Sequence, residues 1–186
     1  MCGRYSLETS FDLFASRYGL EIESIEFSNY PEIFPTQVRP IIDSENHLVY
    51  GKWGFSTPYS NKSLINARLE TVNEKPTFKQ AFNETRCLIP ATSFFEWEKI
   101  GDHKEKRKIF VDNRYIFSMA GICRVQDDRI VYSILTMDST DDFKKIHHRM
   151  PVILDAVDEL KYLNKNTPIK DVLSLCYLKQ PELIVR

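Results

Sequence analysis

A cysteine directly after the initiating methionine puts a thiol at the position where terminal processing changes its chemistry most. Removal of Met1 is expected because the second residue is small, and it would leave Cys2 carrying both a free α-amine and a thiol. The amine titrates near about 7.7–8.0 and the thiol near about 8.5, so both supply some nucleophile at neutral pH. A 1,2-aminothiol condenses with an aldehyde in two steps: the amine forms a Schiff base, then sulfur closes a five-membered thiazolidine ring. A chance cysteine at position 2 is the plain alternative, and Cys2 alone does not decide between them.

Three further segments carry reactive side chains. In Leu64–Thr71, read as a strand, period two puts Asn66, Arg68 and Glu70 on one face and Ile65, Ala67 and Leu69 on the other. Asn66 can donate and accept near an amine or sugar oxygen, and Arg68 offers a fork suited to phosphate. A solvated strand face is the alternative. Glu96 sits inside the aromatic run Ser93-Phe94-Phe95-Glu96-Trp97, with Phe95 and Trp97 expected to project into the core. A carboxylate desolvated there has a raised proton affinity suited to proton transfer near neutral pH. An edge strand with Glu96 and Glu98 facing water fits that segment equally well. In Ile146-His147-His148-Arg149-Met150-Pro151, two adjacent histidines are not expected to face the same way. One imidazole can shuttle protons; a surface histidine pair is the alternative.

The elements that must position these residues are mostly strands. An amphipathic helix is predicted from Thr9 to Gly19, capped by Thr9 or Ser10, with Phe11, Phe14 and Tyr18 on one face and Gly19 ending it. Strands are predicted around Val38–Ile42, His47–Phe55, Leu64–Glu70, Arg86–Ile89, Ser93–Trp97, Lys108–Val111, Tyr115–Arg124 and Arg129–Leu135. A short helix is predicted from Thr77 to Glu84. Another follows the caps Asp138 and Ser139, and a third, capped by Asp155, carries Val157, Leu160 and Leu163. Glu98–Lys108 reads as a solvated hairpin around Gly101-Asp102. Helices that arrive singly between runs of strands predict an α+β fold: one domain with a mainly antiparallel, barrel-like sheet core and a few flanking helices.

Composition narrows the function classes. The 186-residue chain is long enough to bury a core without metal or disulfide staples. A net charge of −1 creates no global field for nucleic acid, which leaves only a local basic face. The four cysteines (Cys2, Cys87, Cys123 and Cys176) form no CxxC pair and no zinc spacing, so no metal and no cofactor is expected. There is no apolar run of membrane length and no signal-peptide start, which predicts a cytoplasmic protein with free thiols. A glycine-rich phosphate loop is also missing, so nucleotide hydrolysis is not expected.

Taken together, the segments resemble the SOS response-associated peptidase (SRAP) family of abasic-site processing proteins. The matching pieces are Cys2-Gly3-Arg4-Tyr5, Pro35-Thr36-Gln37, Trp53-Gly54-Phe55, Asn66-Ala67-Arg68 with Glu70-Thr71, Arg86-Cys87-Leu88-Ile89-Pro90-Ala91, Phe95-Glu96-Trp97 and Ile146-His147-His148-Arg149-Met150-Pro151. They occur in the family's order from residue 2 to about 154. The resemblance implies a partner, single-stranded DNA containing an abasic site, and a covalent thiazolidine between its aldehyde and Cys2. It implies roles for Glu96 in proton shuttling, His147 in opening the sugar ring and Asn66 in orienting the amine and sugar. Arg4, Arg68 and Arg149 become the candidates for flanking phosphates. Side activities follow from the same resemblance: β-elimination from the Schiff base, reversal of the crosslink and autocatalytic exposure of Cys2. A monomer without membrane attachment is expected. The chain departs from the family pattern at Glu32, Tyr59, Pro76 and His148. Two other readings stay open: an N-terminal-nucleophile or thiol peptidase using Cys2, His147 and Glu96, and a non-catalytic β-rich binding module.

Overall fold

Strand-forming residues dominate the computed structural model, which describes residues 2–21, 27–58, 60–178 and 180–186. β1 (Arg4–Leu7) leads through helix α1 (Phe11–Tyr18) to β2 (Tyr30–Ile33), β3 (Val38–Ile42) and β4 (Leu48–Trp53). β5 (Phe55–Thr57) and β6 (Ser60–Leu64) pair with each other, and β7 (Asn66–Arg68) runs into a 3-10 turn before α2 (Pro76–Glu84). The long strands follow: β8 (Arg86–Ala91), β9 (Ser93–Ile100), β10 (His103–Val111), β11 (Phe117–Gln126) and β12 (Arg129–Asp138). Next come β13 (Arg149–Pro151), β14 (Ile153–Leu154), α3 (Glu159–Leu163), α4 (Ile169–Tyr177) and β15 (Leu183–Val185).

Five of these strands close a barrel in the order β3-β4-β12-β11-β8. Most neighbours are antiparallel; β4 and β12 run parallel, and a single pair, Ile42 with Leu88, shuts the ring. Gly121 on β11 permits the closure, because a Cβ there would lie 1.9 Å from the Ile89 side chain. A second antiparallel sheet, β15-β10-β9-β1-β2, lies against the barrel. An aromatic joint couples the two. The Tyr5 and Tyr132 hydroxyls are 2.7 Å apart, and Tyr5 meets Trp53 edge-to-face with centroids 5.2 Å apart. Such aromatic pairs contribute about 0.5–1.5 kcal/mol beyond their buried area. The predicted α+β class and barrel-like core are what the chain forms.

Helix α1 obeys its sequence signals: the Ser10 side chain accepts from the Leu13 N–H, and Gly19 ends the helix at φ 61°. Phe14 and Tyr18 are buried, and Arg17 makes a bidentate pair with Glu159 of α3. Two predicted helices do not form as expected. After Asp138 the chain makes successive turns through residues 141–146, because Asp138 must return to pair with Arg149. Phe143 and Ile146 are buried all the same. Asp155 is drawn to Arg114 instead of capping a helix, so only a 3-10 turn and the short α3 follow. Val157 is left 89% exposed. Among the described residues, no helix is long and apolar enough to cross a membrane.

Candidate active site

Cys2 enters the structure just ahead of β1, and its position follows from that strand's pairing. Arg4 lies opposite Phe95 and Tyr5 opposite Phe94, so one further step of register sets Gly3 level with Glu96. Cys2 is fully buried, with its thiol 3.7 Å from the Arg4 carbonyl. Burial pushes the thiol well above its ordinary range, and the charge of Glu96 raises it further. The ordinary thiol titration expected from sequence is therefore corrected: in this environment sulfur holds its proton.

Glu96 is 2% exposed and shares the inward face of β9 with Phe94. The alternation is the reverse of the one predicted. Phe94 and Glu96 point into the core, while Phe95, itself nearly buried, and the half-buried Trp97 lie on the other face beneath cations of β1 and β10. Desolvation raises the proton affinity of the Glu96 carboxyl, which brings it toward the range for proton transfer at neutral pH.

Asn66 opens β7 and is held by its neighbour. The Ile65 carbonyl accepts from Trp53 Nε1 at 2.9 Å and from the Ile134 N–H at 3.0 Å, which anchors the strand's start to the barrel. From there Asn66 Nδ2 donates to the Cys2 carbonyl at 3.0 Å. Its Oδ1 is buried and makes no hydrogen bond among the described residues. That is an acceptor without a donor, placed beside the backbone of Cys2.

His147 sits at the end of the turns that precede β13. Its Nδ1 lies 3.0 Å from the Arg149 N–H and 3.1 Å from the Arg149 carbonyl, so the backbone offers a donor to the bare nitrogen and an acceptor to the protonated one. Burial lowers the proton affinity of the ring, and the nearby His148 and Lys104 lower it further. The two histidine rings stack with centroids 4.4 Å apart, which corrects the expectation that they face different ways. Phe143, on the same turns, packs against Phe94, the residue two before Glu96. The 840 Å³ groove on the other flank of these turns, lined by Met137, Lys145, Tyr177 and Leu183, has none of Cys2, Asn66, Glu96 or His147 in its wall.

The three arginines differ. Arg68 is exposed and makes no ion pair among the described residues. Arg4 is partly exposed, bonds to Glu32 at 3.0 Å, and lies over the rings of Phe34 and Trp97. Arg149 is 4% exposed and its fork is spent on Glu70, Asp138 and the Thr136 carbonyl. Protein carboxylates therefore already occupy the donors that a phosphate contact at Arg149 would need. Glu70 reaches Arg149 from the 3-10 turn after β7, since the strand stops at Arg68. No local sequence signal marks this clamp, and Lys104 and Lys106 alternate along β10, the second strand of the hairpin around Gly101-Asp102. Met1 and Tyr59 lie outside the described residues.

With this geometry in view, the comparisons with known proteins agree on one family. A family model described as SOS response associated peptidase (SRAP) matches residues 1–184. The chain belongs to the SRAP family. It is 34% identical over 185 residues to the abasic site processing protein YoaM of Bacillus subtilis (strain 168), covering 90% of this chain and 81% of that one. The abasic site processing protein YedK of Escherichia coli (strain K12) is 29% identical over 168 residues, covering 83% and 75%. The crystal structure of a Bacteroides thetaiotaomicron protein superposes on this SRAP chain with a TM-score of 0.84 at 28% identity, covering 99% and 91%. Both of these named relatives carry the description abasic site processing protein.

Proposed function

We propose that the chain, once processed to begin at Cys2, traps the aldehyde of an abasic site in single-stranded DNA as a thiazolidine. The observation that carries this reading is the Asn66–Cys2 contact. Nδ2 fixes the Cys2 carbonyl at 3.0 Å while the orphaned Oδ1 is left to accept from an amine or a sugar hydroxyl. Glu96, close enough for its charge to raise the Cys2 thiol, is the second support.

The steps follow from these groups. His147, kept neutral by its environment, takes the anomeric hydroxyl proton and returns it to the ring oxygen as the ring C–O bond breaks, which opens the sugar to the aldehyde. The Cys2 amine adds to the carbonyl carbon, one amine proton moves to the former carbonyl oxygen, and protonated Glu96 donates to that hydroxyl, so water leaves and an N-protonated imine forms. The Glu96 carboxylate then takes the thiol proton as sulfur bonds to the iminium carbon, which leaves the ring nitrogen neutral with its one hydrogen. Glu96 ends protonated, as it began. The buried, elevated thiol suits a sulfur activated only at ring closure; a thiol peptidase needs the opposite, a lowered thiol. β-elimination from the imine, reversal of the crosslink and self-exposure of Cys2 use the same residues and belong to the same proposal.

A single abasic site in an oligonucleotide tests it. Protein beginning at Cys2 is expected to give a species that survives a denaturing gel, while Cys2→Ser and amine-blocked protein give none. A stable adduct from the serine variant would overturn the thiazolidine, and cleavage of peptides in trans would favour the hydrolase.

A further inference from the structure

We propose that Glu32 is a built-in competitor for the phosphate that Arg4 and Lys106 would otherwise hold, and so weakens the grip of this chain on intact nucleic-acid strands. The inference rests on the reading of the site as one that receives a DNA strand. One carboxylate oxygen of Glu32, on β2, accepts from Arg4 Nη1 at 3.0 Å and from Lys106 Nζ at 2.7 Å. That is the place a phosphate oxygen would take between an arginine and a lysine. The two cations are not loose. The Arg4 guanidinium lies 4.6 Å from the Phe34 ring centroid and 4.9 Å from that of Trp97, and Lys106 Nζ lies 4.3 Å from that of Phe95.

The location ties the cluster to the reactive centre. Arg4 is two residues from Cys2, and Lys106 is paired across the hairpin with Trp97, the residue after Glu96. A strand that approaches Cys2 therefore meets aromatic faces and two fixed cations, one of whose two charges Glu32 already neutralises. A phosphate can take those donors only by displacing the carboxylate and then sitting beside it. The Lys106 and Arg4 bonds keep Glu32 ionised despite its partial burial, so the competitor persists at neutral pH. Noncovalent holding then falls to other cations such as Arg68. Intact strands are released readily, and only the covalent bond at a lesion retains the chain.

The test is equilibrium binding of an undamaged single-stranded oligonucleotide across a series of salt concentrations. Glu32→Gln is expected to bind several-fold more tightly, with a log K against log salt slope steeper by about 0.7 for each phosphate gained. Glu32→Asp, which keeps the charge but shortens the reach, should fall between it and wild type. Glu98→Gln removes a carboxylate from the same hairpin, where it pairs with Arg107 at 2.7 Å, and should leave the slope unchanged. Adding Arg4→Gln to Glu32→Gln should cut the gain to the share of Lys106, and adding Lys106→Gln as well should abolish it. An unchanged slope in Glu32→Gln, or an equal gain in Glu98→Gln, would overturn the competitor. Crosslinking to an abasic oligonucleotide separates this from the reading it rests on. An adduct with no Glu32 effect sinks only the competitor, whereas a Glu32 effect with no adduct sinks the covalent reading and leaves the competitor standing.

Discussion

Asn66 grips the Cys2 carbonyl through its amide nitrogen and leaves its amide oxygen buried and unmatched. An unpaired buried acceptor costs about 1–3 kcal/mol. A fold retains such a group most readily where a ligand supplies the missing donor. In the proposed reaction, the side chain that fixes the Cys2 backbone would also carry the acceptor for the incoming partner.

Asn66→Ala should therefore separate stability from function. It removes one hydrogen bond and one unsatisfied acceptor together, so the thermal midpoint should move by no more than a few degrees. The rate of adduct formation with an abasic oligonucleotide should fall by about tenfold or more. Thermal unfolding and a timed denaturing gel check the pair. A lost fold, or a full crosslinking rate, would contradict the role given to Asn66.

Glu96 should write itself into the pH dependence of stability. Burial raises its folded-state affinity for a proton above that of the unfolded chain. The folded state is then favoured fully below the unfolded value of about 4.3, and that advantage is lost as pH rises through the elevated folded value. Glu96→Gln keeps the shape without the charge. It should match wild type near pH 4 and unfold at higher temperature than wild type at pH 8. Its crosslinking rate should drop by about 10²–10⁴-fold, the usual worth of a general acid–base group. A variant less stable than wild type at pH 8 would show that the carboxylate's partners outweigh its desolvation.

Local signals in the sequence mark elements more readily than they mark long-range partners. Ser10 and Gly19 mark the ends of α1 by local rules, and the β-branched Val38, Ile41 and Ile42 mark β3 by propensity, so both elements are legible. Arg4–Leu7 and Ile169–Tyr177 were not identified as elements. The first reads as a terminal motif, and β1 gets its strand character from pairing with β9. Residues 141–146 carry a helical pattern but are overridden by the return that pairs Asp138 with Arg149. The inward turn of Glu96 is hidden because Phe94 and Phe95 are equally apolar and both buried, and only the packing shows that Phe94 alone joins the core cluster. The ion pairs of Arg4 and Arg149 were invisible for the same reason: their partners lie 28 and 79 residues away in sequence.

The joint at Trp53 offers a longer-range test. Its Nε1 bond to the Ile65 carbonyl sets the residue immediately before Asn66. Trp53→Phe keeps an aromatic ring in the barrel but removes that donor and opens space beside Tyr5 and Tyr132. A loss of about 2–4 kcal/mol is expected from the cavity and the lost bond together. Crosslinking at a temperature where the variant is fully folded should still be slower than wild type, because Asn66 loses its anchor. An unchanged rate under those conditions would show that β12 alone positions Asn66.

Arg68 and Arg149 should respond in opposite ways to the same substitution. Arg68 is exposed and makes no ion pair among the described residues, so Arg68→Gln should leave stability within about 0.5 kcal/mol. Strand binding by that variant should weaken, and its log K against log salt slope should flatten by about 0.7, one phosphate's share in a single strand. Arg149→Gln breaks a nearly buried guanidinium from Glu70 and from the Thr136 carbonyl. Breaking a fully buried pair costs about 3–5 kcal/mol, and the partial exposure of Glu70 reduces this to about 1–3 kcal/mol. Because the Arg149 backbone holds His147 Nδ1, crosslinking should slow in Arg149→Gln with the salt slope unaltered. Parallel unfolding curves and salt titrations decide the matter. A flattened slope in Arg149→Gln at wild-type stability would return Arg149 to the DNA and dissolve the clamp.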